Sequence, residues 1–592
     1  MQREIEPLIN LSLLFLKEIW IYLGDQNMFL LSITKSSLSS FRSYKFEEFN
    51  LPRRKLTIVT DNFLSKIFSE EDSTSVIESP LISCCNSKEL VLTGAKYDNK
   101  NSILEIYKPL ISGRSIYYHL DSKGDFYCST HISMLREAGI KIDENNALIP
   151  EFFVFRFIMP PQTYYKNIYQ INAGSHLRIN LKKDKIIIKI INDFNPPSPR
   201  LLPSQVDNYS EEILRLLSNS IQPLKKCKNH LALLLSGGID SSLLLRICQN
   251  LSFNIKSTYS TGYSFENFEK DYAQSAADYF GTNHNYQEVM ISEYPQKIVE
   301  AILIAEQPLP NLQSILLYLL FKDGIPNNKN IVLNGVGAEL SCNRTNFLIY
   351  NFIKKPLKFE VPKLMGKIPI LSKWRTAKWA ANFYQKINYP IEEPNNVIWS
   401  EDPVGSFEWT MDYFGISQSK IINNPLGLIN QFGERSLYDI LAIYDFLGGR
   451  TVTMSVWSKL GESQKKIIYY PFNDSNLVNY FFSLPENIKY ESYKHVLKEV
   501  ASYSGIPSFI IHRKKLGLNP LTNLALIRKK VFDPLISVAS KIIDEKQIRK
   551  VQPTDWGPEF WTLWNILNYS IWKRIWINNE PKEILLEELI GS

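Results

Sequence analysis

The stretch from Leu231 to Leu245, LALLLSGGIDSSLLL, sets the tightest limit on how this chain can fold. An apolar run without alternation describes a strand buried on both faces, as in a parallel sheet. Two glycines then break the run. Asp240 and two serines follow, and the apolar residues after them predict a helix. The same grammar continues downstream. HLALLLS is followed by SSLLLRICQNL, NIKSTYS by NFEKDYAQSAADYF, and NYQEVMI by EYPQKIVEAILIA, and the strand NIVLNG closes the series. Strand and helix in alternation predict an α/β fold with a doubly wound parallel sheet and helices on both faces.

Upstream the pattern is different. Between residue 25 and about residue 195 the chain carries short β-like runs separated by polar turns, among them LTIVTDNF, SILEIYKPL, DFYCST and HLRINL. These predict a sheet-rich domain. NDFNPPSPRLLPSQ, from Asn192, has four prolines and no periodicity and is expected to be a linker. Beyond about residue 345 the chain is expected to be mostly helical, with tryptophan- and tyrosine-rich segments and no repeat. A chain of 592 residues exceeds one ordinary core. Two domains are expected, 1–195 and 196–592.

Charge and cysteines narrow the function. The 67 basic and 60 acidic residues are spread along the chain, and a net charge of +7 gives no reason to expect a nucleic-acid partner. The six cysteines form no C-x-x-C pair, and Cys248 falls on a helix face that should be buried, which fits a reducing cytoplasm. LINLSLLFLKEIWIYL, from Leu8, is interrupted by Lys17 and Glu18. It predicts an amphipathic, docking helix rather than a signal peptide or a membrane span. The tail residues Trp556, Trp561, Trp564, Trp572 and Trp576 are read as a packing stripe. His230, at the far end of its strand from the glycines, is a poor partner for Ser236.

In a doubly wound sheet, ligands bind where the strands end at their carboxyl termini. Gly237 and Gly238 allow a tight turn and close approach of an anion. Backbone N–H groups and the helix start favour phosphate there, with Ser236, Ser241 and Ser242 as hydroxyl donors. Asp240 repels phosphate unless Mg²⁺ lies between them, so it predicts a metal. The plainer alternative is a glycine turn with Asp240 as helix N-cap.

These residues resemble a known family. SGGIDSS is similar to the pyrophosphate loop of the N-type ATP pyrophosphatases, which cleave ATP to AMP and pyrophosphate while adenylating a substrate. It differs from the GxxxxGK(S/T) loop of kinases and motors. GRSIYYHLDSKGDFYCSTHISMLREAGIKID from Gly113 and PPQTYYKNIYQINAGSHLRIN from Pro160 resemble the N-terminal half of asparagine synthetases. IVLNGVGAEL from Ile331, YYPFNDSNLVNYFFSLP from Tyr469 and YKHVLKEVASYSGIPSFIIHRKKLGLNPL from Tyr493 resemble three later motifs of that family, in its order. The resemblance implies an N-terminal Ntn-hydrolase-like domain, a synthetase domain of the adenine nucleotide α-hydrolase type, and ATP with Mg²⁺ as cofactors. By position it implies that Leu234, Ser260, Asn334 and Gly335 line the adenine and ribose pocket, and that Glu339 is the second metal carboxylate beside Asp240. It also implies that Lys515, in RKKLGL, stabilises charge at the α-phosphate.

Where the family has a terminal cysteine that releases ammonia from glutamine, this sequence has Gln2, so the first domain is expected to lack that activity. The nitrogen nucleophile then comes most simply from an amine on the substrate. That is the logic of the β-lactam, carbapenam and lasso-peptide macrolactam synthetases, in which closing a ring makes the attack unimolecular. Val336 stands between the glycines of the second motif, where asparagine synthetases have a glutamate. Valine takes no proton, which favours the peptide-cyclising class. The implied substrate is a precursor peptide whose N-terminal amine is freed by a pathway protease. A small amino-acid substrate, or a non-catalytic scaffold, are the alternatives.

Overall fold

A computed structural model describes residues 29–34, 45–51, 54–60, 65–70, 73–78, 93–98, 100–181, 186–197, 206, 208–263, 268–342, 344–354, 405–433, 435–513, 524–553 and 557–591. The N-terminal strands are β1 (Phe29–Thr34), β2 (Lys45–Leu51), β3 (Arg54–Thr60), β4 (Ser65–Glu70), β5 (Ser73–Glu78) and β6 (Thr93–Asp98). They continue with β7 (Ile103–Lys108), β8 (Tyr117–Leu120), β9 (Phe126–Ser129), β10 (Tyr169–Gln170), β11 (Ser175–Asn180) and β12 (Ile187–Asn192). They form two six-stranded sheets, in the orders β10-β8-β9-β1-β3-β2 and β12-β11-β7-β6-β5-β4. Neighbouring strands run antiparallel, as β1 with β3 and β9 and β7 with β6 and β11 show. Alternate residues of both sheets meet in one core: Leu31, Ile33, Phe126 and Cys128 from the first, Leu104, Ile106, Leu177 and Ile179 from the second. The expected sheet-rich region is thus a two-layer sandwich.

The proline-rich segment after β12 is partly packed. The Asp193 and Phe194 amides donate to the Gly174 carbonyl, and Phe194 is buried among Phe432, Phe446 and Phe482. Helix α1 (Tyr209–Ile221) follows, and then the second sheet region.

That region contains β13 (Leu231–Leu234), α2 (Ile239–Asn250), β14 (Ser257–Tyr263), α3 (Phe268–Phe280), β15 (Asn283–Val289), α4 (Tyr294–Ala305) and β16 (Ile331–Leu333). The four strands fall where the alternating pattern places them. A fifth strand, β17 (Ile467–Tyr469), joins from far along the chain and pairs with β16. Every pairing in this sheet is parallel, and the order is β15-β14-β13-β16-β17. Connections from β13 step one way to β14 and β15, then the other way to β16 and β17. The direction therefore reverses between β13 and β16, which opens a crevice at their carboxyl ends.

Three later helices are α5 (Thr451–Glu462), α6 (His495–Tyr503) and α7 (Pro558–Trp572). Trp561, Trp564, Trp572 and Trp576 are buried, as a packing stripe requires, and Trp556 lies outside the described residues. A buried polar seam joins sandwich and helices. Glu306 accepts from the Ile132 and Ser133 amides at 2.8 and 2.9 Å and pairs with Lys459 of α5. Burial alone would raise its carboxyl, but Lys459 and His131 more than offset this and hold it well below the usual range. No helix of the described residues is long and apolar enough to cross a membrane. The Leu8 run and Gln2 lie outside those residues.

Candidate active site

The loop after β13 is closed by its own hydroxyls. Ser241 Oγ accepts from the Ser236 amide at 3.2 Å and donates to the Gly238 carbonyl at 3.3 Å, and the two serine hydroxyls lie 3.4 Å apart. Gly237 sits at φ +69, and a Cβ there would lie 2.3 Å from the Tyr272 carbonyl of α3. Gly238 has ordinary backbone angles, and its Cβ position is instead crowded by the Arg513 guanidinium, 3.1 Å away. Each glycine therefore has its own reason: one admits a left-handed turn against α3, the other makes room for a cation.

Gly238, not Asp240, is the N-cap of α2. Asp240 stands in the first turn, and its carboxylate takes the Lys494 ammonium on both oxygens, at 2.8 and 2.5 Å. This pair argues against the plain capping reading. Lys494 precedes α6 at φ +57, the left-handed region that a non-glycine residue enters at a cost. Its side chain is 7% exposed.

The loop after β16 approaches this one directly. A Cβ on Gly335 would lie 3.4 Å from both the Asp240 Cβ and the Ser241 amide nitrogen. Asn334, buried, receives its place from the Tyr469 carbonyl of β17 at 3.0 Å, and its Oδ1 accepts from the Val336 amide at 3.0 Å. Val336, half-buried, packs against the buried cluster that includes Tyr259 and Met454, as do Leu234 and Trp457. Glu339 Oε2 accepts from the Gly337 amide at 3.1 Å and pairs with Arg450, which also pairs with Asp445 at 2.5 Å.

The expected residues thus fall into four groups. Ser236, Gly237, Gly238, Asp240, Ser241, Asn334 and Gly335 come together at the crevice between β13 and β16. Leu234 ends β13 and packs against the same buried cluster as Val336, and Ser260, on β14, exchanges a 2.8 Å hydrogen bond with His284 Nε2. Ser242 is fully buried, and its hydroxyl meets no partner among the described residues. It shares a helix face with Ile239 and Leu245, so it supports the loop from behind rather than lining its open side. Lys515 lies outside the described residues, with Lys514 and Gly517.

Lys494 and Arg450 were not singled out from sequence. Lys494 stands in a family-like stretch, YKHVLKEV, that offered a signal. Arg450, in FLGGRTVT, offered none, because only the tertiary fold brings it to Glu339.

Magnesium is commonly held by one or two carboxylates together with substrate phosphates. Asp240 and Glu339 fit that donor set, since each is partly exposed and each now carries a cationic side chain where a metal's charge would lie. Among the described residues no cluster of three or more acidic, histidine or cysteine ligands exists, so the phosphates would have to complete the shell.

Residues 212–392 and 464–574 match the asparagine synthase family. Those two segments are similar to that family's domain. Asparagine synthetase (glutamine-hydrolyzing) 1 of Bacillus subtilis strain 168 is 20% identical over 508 residues, covering 80% of this chain and 75% of that protein. A Methanocaldococcus jannaschii protein named asparagine synthetase (glutamine-hydrolyzing) 2 is 22% identical over 285 residues, covering 46% of this chain and 54% of its own length. Both loops of the crevice, β13 to β17 and Lys494 fall within the two matched segments.

Proposed function

We propose that this protein is an ATP-dependent synthetase that forms an amide bond by adenylating a carboxylate, with a precursor peptide as substrate. The observation that carries the reading is the meeting of two strand-end loops at the crevice. Each brings a carboxylate that a buried cation already neutralises.

In this reading the triphosphate lies along Ser236 to Ser241, and Asp240 and Glu339 would hold Mg²⁺ on its oxygens. The metal would neutralise phosphate charge. A substrate carboxylate oxygen attacks the α-phosphorus, the bond to the β-phosphate oxygen breaks, and pyrophosphate leaves. An amine nitrogen of the same substrate then attacks the acyl carbon, loses a proton, and AMP departs. Lys494, which holds Asp240 here, would be available to the phosphates when Asp240 carries the metal, and Lys515 is assigned to the α-phosphate. Leu234, Ser260, Asn334 and Gly335 are assigned to the adenine and ribose.

We assign residues 1–195 to an Ntn-like domain without a cysteine nucleophile and residues 196–592 to the synthetase. Two facts support the first assignment: β1 reads FLLSIT, and the Cys128 thiol is wholly buried. Without ammonia made in place, an internal amine is the simplest nucleophile. A lasso-type macrolactam closure follows, with a pathway protease freeing that amine. A second reading, a small amino-acid substrate, is favoured by the asparagine synthetase names of the Bacillus subtilis and Methanocaldococcus jannaschii relatives.

Full-length protein incubated with ATP, Mg²⁺ and an amine-terminated peptide bearing an internal acid should yield AMP, pyrophosphate and a peptide lighter by one water. Phosphorus NMR and mass spectrometry read both. ADP and phosphate would overturn the mechanism, whereas turnover of free aspartate with ammonium would move the substrate to the second reading.

A further inference from the structure

Arg513 lies against the glycine loop from outside. Its Nη2 and Nε are 3.1 and 3.7 Å from the place a Gly238 side chain would occupy. The guanidinium stacks over Tyr272 of α3, 4.8 Å from the ring centre, and its side chain is 7% exposed. Glu269 is its nearest carboxylate at 3.7 Å, too long for a hydrogen bond. Nη1 is buried and has no acceptor among the described residues. A guanidinium fixed in this way, desolvated and with an unmet N–H, is costly unless something else completes it.

A purely structural role fits this geometry poorly. An arginine that only braces α3 to the loop would close its fork on Glu269, as Arg574 does on Glu588 at 2.6 and 2.9 Å. Arg513 instead rests on an aromatic face and presents its Nη2–Nε edge to Gly238, in the turn that the Ser236 and Ser241 hydroxyls close. Planar forked donors suit phosphate oxygens, and stacking on tyrosine holds the plane without occupying the N–H groups.

We infer that Arg513 is a phosphate-gripping residue that closes over the glycine loop and takes the pyrophosphate end of the nucleotide. The inference rests on the nucleotide reading above and goes further by dividing the labour of the cations. Lys494 belongs to the carboxylate side of the loop, through Asp240, and Arg513 to the leaving-group side. The separation predicts selectivity: Arg513 is felt by ligands that carry the β- and γ-phosphates and not by AMP.

Calorimetric titration of the full-length protein with Mg²⁺ and, separately, pyrophosphate, ATP and AMP tests this. Arg513→Met should weaken pyrophosphate and ATP about 10- to 100-fold, the loss of charge-assisted hydrogen bonds, and leave AMP within about 2-fold. Arg513→Lys should recover part of the loss, because charge remains while fork and stacking go. Tyr272→Leu, which keeps the guanidinium and removes its support, should show the same selectivity on a smaller scale, and it serves if Arg513→Met fails to fold. Equal weakening of AMP, or unchanged pyrophosphate affinity, would overturn the role of Arg513. A wild-type protein that binds neither ATP nor pyrophosphate would instead overturn the nucleotide reading itself.

Discussion

The loop after β13 and the loop after β16 lie side by side at one crevice but are held in different ways. The first ties itself: Ser236 and Ser241 knot the turn, and its one carboxylate, Asp240, stands clear and meets a lysine from another part of the chain. The second depends on distant residues. Asn334 is held by β17, and Glu339 is shared between its own Gly337 amide and Arg450, which Asp445 also engages. The first loop can lose its carboxylate and keep its shape. The second cannot, because Glu339 helps to shape it.

Four substitutions would break or sharpen this contrast, from the largest effect to the smallest. Asp240→Ala should lower turnover at least about 100-fold by removing the metal carboxylate; the Ser236–Ser241 knot keeps the loop's shape, and leaving the buried Lys494 without its partner costs about 1–3 kcal/mol. Gly237→Ala places a methyl 2.3 Å from a carbonyl at a left-handed φ, and should cost about 2–4 kcal/mol in chemical denaturation. Glu339→Gln should cost about 1–3 kcal/mol, as the buried Arg450 loses one of its charged partners, so activity and stability fall together. Gly335→Ala, whose methyl meets neighbours at an ordinary 3.4 Å, should cost under about 1 kcal/mol. A stable Glu339→Gln protein, or an unfolded Asp240→Ala protein, would erase the distinction between the loops.

The same contrast explains what the sequence made legible. LALLL, the glycines and the helix that follows are local features, and periodicity located them to within a few residues. Among the sandwich strands β3, β6 to β9, β11 and β12 were legible for the same reason, whereas β1, β2, β4, β5 and β10 were not singled out. β17 was not, because three residues within KKIIYYPF carry too little pattern to separate a strand from a turn, and its place is set by pairing with β16. Lys494 and Arg450 act through partners more than a hundred residues away in the chain. Ser242 was expected among the donors because it adjoins Ser241, but one step along a helix turns a side chain by about a quarter of a turn, here into the core.

The central claim is that the loop after β13 seats the triphosphate together with a metal. Titrating ATP into wild-type and Asp240→Ala protein, each with and without Mg²⁺, tests it most directly. The account predicts that Mg²⁺ strengthens ATP binding in the wild type and that Asp240→Ala loses this strengthening. ATP binding that ignores both the metal and the substitution would contradict it.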